Sequence, residues 1–252
     1  MDKTILVTGG GKGIGRALVE GFLHAGARVA TLTRSEPAPF SVSGAEQDRL
    51  VTIVGDVTST DDVRKLIDIS LRRFGRIDAL INNAGLNRIA TFAECDFEDW
   101  LKVVNVNLVG TALCTREVLP LMVKAGYGRI VNIVSRSAED PVSGRTAYSA
   151  AKAAVITFTK VLARELQELK AHDVLVNGLI PGPTNTSSHP MSGQKPEAVF
   201  PYCRQLVELP RGGPNGRFFR KGKDYPMYVK FNDEGESTPR SYWGHLAAWL
   251  RR

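Results

Sequence analysis

The chain has 252 residues, 43% of them hydrophobic and 23% charged, enough to bury a substantial core and unlike the composition of a disordered or fibrous chain. Its cysteines, Cys95, Cys114 and Cys203, are odd in number, far apart and without C-x-x-C spacing. That argues against a disulfide framework or a zinc site and points to a reducing, cytoplasmic setting. The net charge is +7, but the basic residues are spread beside acids. Their densest group is Arg217, Arg220, Lys221 and Lys223, so a solvated surface is expected and not a nucleic-acid interface.

The opening MDKTILVTGG runs from charge into a β-branched stretch without the apolar segment of a signal peptide. No stretch reads as apolar for the length a bilayer demands. Residues 3–8 read as a strand, and a glycine-rich turn leads into a helical pattern from about Ile14 to Ala25, stopped by Gly26. A second strand is expected at 28–33. Segment 34–49 holds Pro37 and Pro39 with little periodicity and reads as a loop. Strands are expected at 50–54, 78–81, 129–134 and 173–179, and helices at about 61–74, 96–107, 108–125 and 147–170. Beyond Pro181 the pattern fades. Residues 182–195 are rich in Gly, Pro, Ser, Thr and Asn and read as a loop. A helix over 196–209 and a strand over 216–221 follow, and the segment from Asp224 onward shows no period. Alternating strands and helices with doubly apolar strands predict an α/β fold: a Rossmann-type, doubly wound parallel sheet in three α/β/α layers. The expected organisation is a single domain over 1–252, with a variable loop at about 182–200 and an atypical tail at about 222–252.

Thr8-Gly9-Gly10-Gly11-Lys12-Gly13-Ile14-Gly15 lies between the first strand and the first helix, where a dinucleotide pyrophosphate can rest on a helix N-terminus. Gly9 suits the tight turn, Gly13 the approach of backbone to phosphate, and Gly15 the close packing of helix on sheet. An acid at the end of the second strand would bind a ribose 2′-hydroxyl. Thr33 and Arg34 stand there instead, and with Lys12 they favour NADP(H) over NAD(H), because a guanidinium suits a 2′-phosphate.

From here the chain resembles the short-chain dehydrogenase/reductase family, with a ketoreductase-like character. The resemblance rests on Thr8-Gly9-x3-Gly13-x-Gly15, Asp56-Val57, Asn82-Asn83-Ala84-Gly85, Asn107, Ser135, Tyr148-x3-Lys152, and Pro181-Gly182 with Thr186, in that order over roughly residues 2–186. It implies that Asp56 and Val57 flank the adenine, and that Asn82 to Gly85 support the sheet and border the cofactor. It also implies that Asn107 holds a proton-relay water, Ser135 orients the substrate oxygen, Tyr148 moves the proton, Lys152 binds the nicotinamide ribose and tunes Tyr148, and Thr186 meets the carboxamide. Pro181 and Gly182 count with the cofactor-binding set, as do Gly11, Ile14, Asn83, Ala84 and Gly85.

Physical chemistry supports part of this directly. Tyr148 and Lys152 are i and i+4 on one helix and share a face. An ammonium beside a phenol is expected to lower its proton affinity, fitting it as general acid in reduction and base in oxidation. Ser135, at the end of the fifth strand, can donate to the same carbonyl oxygen; Ser137 fits less well, as does Asn105 in place of Asn107. Asn87, Arg136, Glu139, Asp140, Val142, Arg145, Pro183, His189 and Met191 are candidate substrate neighbours, and the charged ones read most simply as solvated. His24, His172, His189 and His245 lack ligand spacing, so no metal is expected. The reading is an NADPH-dependent carbonyl reductase or alcohol dehydrogenase acting on a small molecule, with no nucleic-acid or membrane partner, as a homodimer or homotetramer. An NAD-linked dehydrogenase and a non-catalytic nucleotide-binding scaffold are the alternatives.

Overall fold

A computed structural model of the chain describes residues 1–170, 173–184 and 193–227. The strands β1 (Thr4–Thr8), β2 (Arg28–Thr33), β3 (Leu50–Val54), β4 (Ala79–Asn82), β5 (Tyr127–Ile133), β6 (Asp173–Ile180), β7 (Phe218–Arg220) and β8 (Lys223–Asp224) form one sheet. Its order is β3-β2-β1-β4-β5-β6-β7-β8. All neighbours are parallel except β7 and β8. The helices are α1 (Gly13–His24), α2 (Gly44–Gln47), α3 (Thr60–Phe74), α4 (Phe97–Val104), α5 (Gly110–Ala125), α6 (Thr146–Glu168) and α7 (Phe200–Val207).

Alternation along each strand divides the core between the faces. On one side Leu6, Leu32, Leu80 and Ile130 pack with Leu66 of α3, Val118 and Met122 of α5 and Leu166 of α6. On the other, Ile5, Val7, Ile81 and Val131 pack with Phe22 and Leu23 of α1 and Cys203 and Leu206 of α7. With both faces covered, the strands must be apolar throughout, which is why they read as continuous runs. The layers are therefore α/β/α, a Rossmann-type doubly wound sheet. Its strand order reverses between β1 and β4, which opens a crevice at the carboxyl ends of the strands.

Several expectations needed revision. The helices expected at 96–107 and 108–125 form one run, joined by a π-helical turn over Asn105–Val109. From that turn the side-chain amide of Asn107 donates back to Val103 O of α4 at 2.8 Å, and such bulges gather at functional positions. By length and composition alone, Phe97–Ala125 could cross a membrane, which corrects the expectation that no stretch is long enough. Its apolar side chains Val103, Cys114, Val118 and Met122 are buried within the fold. Segment 34–49 is irregular as expected except for α2, whose Ser43–Glu46 capping box is a signal present in the sequence but too local to show as periodicity. The helix expected over 196–209 divides into a 3₁₀ turn, Pro196–Val199, and α7. The last strand shrinks to β7, with β8 turning back beside it. Most of the expected 222–252 tail, and part of the 182–200 loop, lie outside the described residues.

Candidate active site

The turn after β1 is built so that side chains do not fill it. Gly9 adopts φ +69°, and a Cβ there would stand 2.9 Å from Ala84 Cα; glycine alone takes both conditions without strain. Thr8 Oγ1 accepts from the backbone N–H groups of Asn83 and Ala84, each at 3.0 Å. Asn83 Nδ2 donates back to Thr8 O at 2.9 Å and Gly9 O at 3.2 Å. These bonds tie the glycine turn to the end of β4. Behind them α1 starts after Lys12, with no side chain capping it and no acid in its first turn. Its leading N–H groups therefore face outward without side-chain partners, as an anion site requires.

Gly15 sets how closely α1 approaches this turn. A Cβ there would run into Gly9 O and Asn83 Nδ2. Gly15→Ala is expected to lose about 1–3 kcal/mol of stability and most nucleotide affinity, measured by thermal unfolding and by fluorescence titration with NADPH. Gly44→Ala is the control: it meets nothing within 4 Å and is expected to be neutral or slightly stabilising.

At the neighbouring end of the crevice, Thr33 Oγ1 donates to Ser35 O at 2.9 Å, and Arg34 is exposed where β2 ends. The loop beyond is clipped to α1 by Arg16, which donates to Ala38 O at 2.9 Å and to Pro39 O. Asp56 Oδ1 accepts from the N–H and hydroxyl of Thr58 at 2.8 and 2.7 Å. Val57 is buried against the position of Gly110, where a Cβ would lie 2.6 Å from its Cγ2.

At the other end, Ser135 follows β5 and lines the cleft with Tyr148, while its hydroxyl accepts from Ser137 N–H at 3.1 Å. Lys152 is buried and donates to Ile133 O at 2.8 Å; its Nζ lies 5.8 Å from the centre of the Tyr148 ring. Asn107 Nδ2 donates to Leu86 O at 2.7 Å, and its Oδ1 is buried without a partner among the described residues. Gly9, Gly11, Lys12, Gly13, Ile14, Gly15, Thr33, Arg34, Asp56, Val57, Asn83, Ala84, Gly85, Asn107, Ser135, Tyr148, Lys152, Pro181 and Gly182 all line one cleft of about 1020 Å³. Thr186, His189 and Met191 lie outside the described residues. Glu36 and Arg88 also line the cleft and were not singled out from sequence, although Glu36 stands two positions after Arg34.

Proton affinities here depart from the sequence expectation. Burial pushes the Tyr148 phenol above its ordinary value, and Ser135 and the Arg145 charge only partly offset this. The Lys152 ammonium, turned to Ile133 O, does not reverse this rise. Burial also brings Lys152 itself down from 10.5 to about 8. A folded-state value below the unfolded one means that the desolvation cost is carried in full below pH about 8 and is relieved as pH rises toward 10.5. Lys152→Met is therefore expected to stabilise the protein at pH 7 by on the order of 1–3 kcal/mol. That advantage is expected to vanish near pH 10, as read by urea unfolding at both pH values.

A family model described as short chain dehydrogenase matches residues 3–197. The chain belongs to this family. Among curated relatives of this short-chain dehydrogenase, a 3-oxoacyl-[acyl-carrier-protein] reductase of Synechocystis is 38% identical over 184 residues, covering 70% of this chain and 72% of that one. The 3-oxoacyl-[acyl-carrier-protein] reductase FabG of Thermotoga maritima is 36% identical over 214 residues, 84% of this chain and 85% of that one. Among solved structures, the 3-ketoacyl-(acyl-carrier-protein) reductase of Brucella melitensis complexed with NADH superposes with a TM-score of 0.79 at 26% identity, covering 86% of this chain and 96% of that one. The protein is thus an NAD(P)-dependent oxidoreductase acting on CH–OH and C=O groups, of ketoreductase-like character. Its cleft fits a nicotinamide dinucleotide on its own evidence. A cradle closed to side chains at Gly9 and Gly15 faces an uncapped helix start at one end, and the orphaned Asn107 carbonyl lies at the other.

Proposed function

We propose that this short-chain dehydrogenase is an NADPH-dependent carbonyl reductase, running as an alcohol dehydrogenase in reverse, with Tyr148 as its acid/base. The observation that carries the reading is that Ser135, at the carboxyl end of β5, and Tyr148 line the same cleft, with Lys152 buried one helical turn away. When bound, the nicotinamide supplies the hydride in reduction and accepts it in oxidation. Ser135 and Tyr148 both direct hydroxyls at the substrate oxygen, and two donors there stabilise the charge that develops on it. Tyr148 gives up its proton to that oxygen. A phenol held above its ordinary proton affinity stays protonated at neutral pH, ready as an acid. Lys152 keeps its positive charge below pH about 8, and a cation beside the departing proton supports the phenolate left behind. Asn107, with a free carbonyl acceptor, would hold the water that returns the proton. Gly9 to Gly15, Asp56, Val57, Asn83 to Gly85, Pro181, Gly182 and Thr186 would hold the dinucleotide. The names of the relatives point to 3-oxoacyl compounds as the substrate family. Action in the cytoplasm, as a homodimer or homotetramer, belongs to the same reading.

The preference for NADPH rests on Lys12 and Arg34, both lining the cleft. Glu36 lines it too, so the two cations must outweigh one nearby carboxylate. Steady-state kinetics with each cofactor test this. The wild type is expected to favour NADPH, and Arg34→Ala to cut that preference by about tenfold or more, the worth of a charge-assisted hydrogen bond to phosphate. Equal or better wild-type turnover with NADH overturns the cofactor assignment.

A further inference from the structure

We infer that Arg145 selects substrates carrying a carboxylate close to the reacting carbonyl, so that a short oxo acid is turned over in preference to the matching neutral ester. The inference rests on the carbonyl-reductase reading above. The substrate end of the cleft is lined by Arg88, Arg136 and Arg145. Arg136 is held by Asp140 at 3.0 Å, and Arg88 faces Asp99 at 3.9 Å. Glu139, the other acid of this loop, acts on Lys160. Among the described residues no carboxylate stands within ion-pair distance of Arg145. No acid occupies the first turn of α6 beside it. Arg145 is half-buried and immediately precedes α6, three positions before Tyr148. It lines the same cleft as Tyr148 and Ser135, which places it at the end where the carbonyl oxygen must sit.

A partly desolvated guanidinium without a counter-charge is unfavourable until an anion arrives, and a carboxylate matches its fork of donors. Two apolar side chains line the cleft near Arg145. Ala90 N–H donates to Gly144 O at 3.0 Å, which sets exposed Ile89 beside the residue preceding Arg145. Val142 is likewise exposed on the cleft. A short alkyl chain on one side of the carbonyl and a carboxylate on the other would meet both surfaces.

The test compares 3-oxobutanoate with its methyl ester in the wild type, Arg145→Gln and Arg145→Lys, reading the ratio of kcat/KM values. A ratio cancels any effect of the substitution on Tyr148 that both substrates share. The wild type is expected to favour the acid, Arg145→Gln to lower the ratio by about tenfold or more, and Arg145→Lys to keep part of it, since a charge-assisted hydrogen bond is worth that much. A wild-type preference for the ester, or a ratio unmoved by Arg145→Gln, overturns the assignment while the carbonyl-reductase reading stands. No turnover of any carbonyl compound overturns both. If a variant fails to fold by thermal unfolding, the wild-type ratio alone decides.

Discussion

Tyr148→Phe is expected to lower kcat by about 10³-fold, within the range that positioned proton transfer contributes, while NADPH still binds and the fold is unchanged. The expectation follows from the neighbourhood of the hydroxyl. Burial holds the proton on the phenol, and Ser135 lines the cleft beside it. Lys152, whose Nζ is 5.8 Å from the ring centre, supplies a nearby cation. Phenylalanine keeps the ring and its packing and removes only the donor, so loss of folding is not expected to mask the result. Ser135→Ala should cost less, because it removes one of two donors to the same oxygen; about 10²-fold is the usual scale for one such donor. The checks are steady-state kinetics, a fluorescence titration with NADPH and thermal unfolding. If Tyr148→Phe retained turnover within a few-fold of wild type, the proton would have to come from elsewhere.

Arg129→Ala is expected to cost about 3–5 kcal/mol of stability, the usual penalty for breaking a buried ion pair from one side. Arg129 is 1% exposed, and its Nη2 meets Asp173 Oδ1 and Oδ2 at 3.0 and 2.9 Å. Its remaining donors reach Asp173 O and Gly128 O, Leu209 O and Pro210 O. One side chain thus ties β5 and β6 to the segment after α7, near the strand ends opposite the cleft. Removing it leaves the buried Asp173 carboxylate with only the exposed Arg211 guanidinium at 3.8 Å, and several carbonyls unmatched in the interior, where desolvation is costly. Urea unfolding should show the loss, while the folded fraction keeps a normal KM. The double variant Arg129→Met/Asp173→Leu should recover a large part of the stability, since no orphaned charge remains. Equal instability of the single and double variants would mean that packing, and not charge burial, dominates there.

The strands were legible because burial on both faces leaves a simple trace, a β-branched, mostly apolar run interrupted chiefly by threonine, such as VATLT or LVTIV. The site was legible for a different reason. Gly9, Gly13 and Gly15 are demanded by backbone geometry, and Tyr148 and Lys152 by helical spacing, so local sequence carries them. What escaped depends on distant partners. The Arg129–Asp173 pair joins residues 44 positions apart, and nothing in either strand announces it. The π-helical turn at Asn107 arises where its amide reaches Leu86 O, a contact across 21 positions. The raised proton affinity of Tyr148 ran against the expected effect of Lys152, because burial is a property of the assembled cleft and outweighs a charge aimed elsewhere. β8 is too short for any pattern to register.

The most direct test of the central claim is to follow the absorbance of NADPH with a panel of ketones, oxo esters and oxo acids, and to quantify the alcohol formed. The account predicts that at least one of these carbonyl compounds is reduced, with one NADPH oxidised per alcohol produced. Tight binding of NADPH with no carbonyl consumed, and no alcohol oxidised in the reverse direction, would contradict it and leave a nucleotide-binding scaffold in its place.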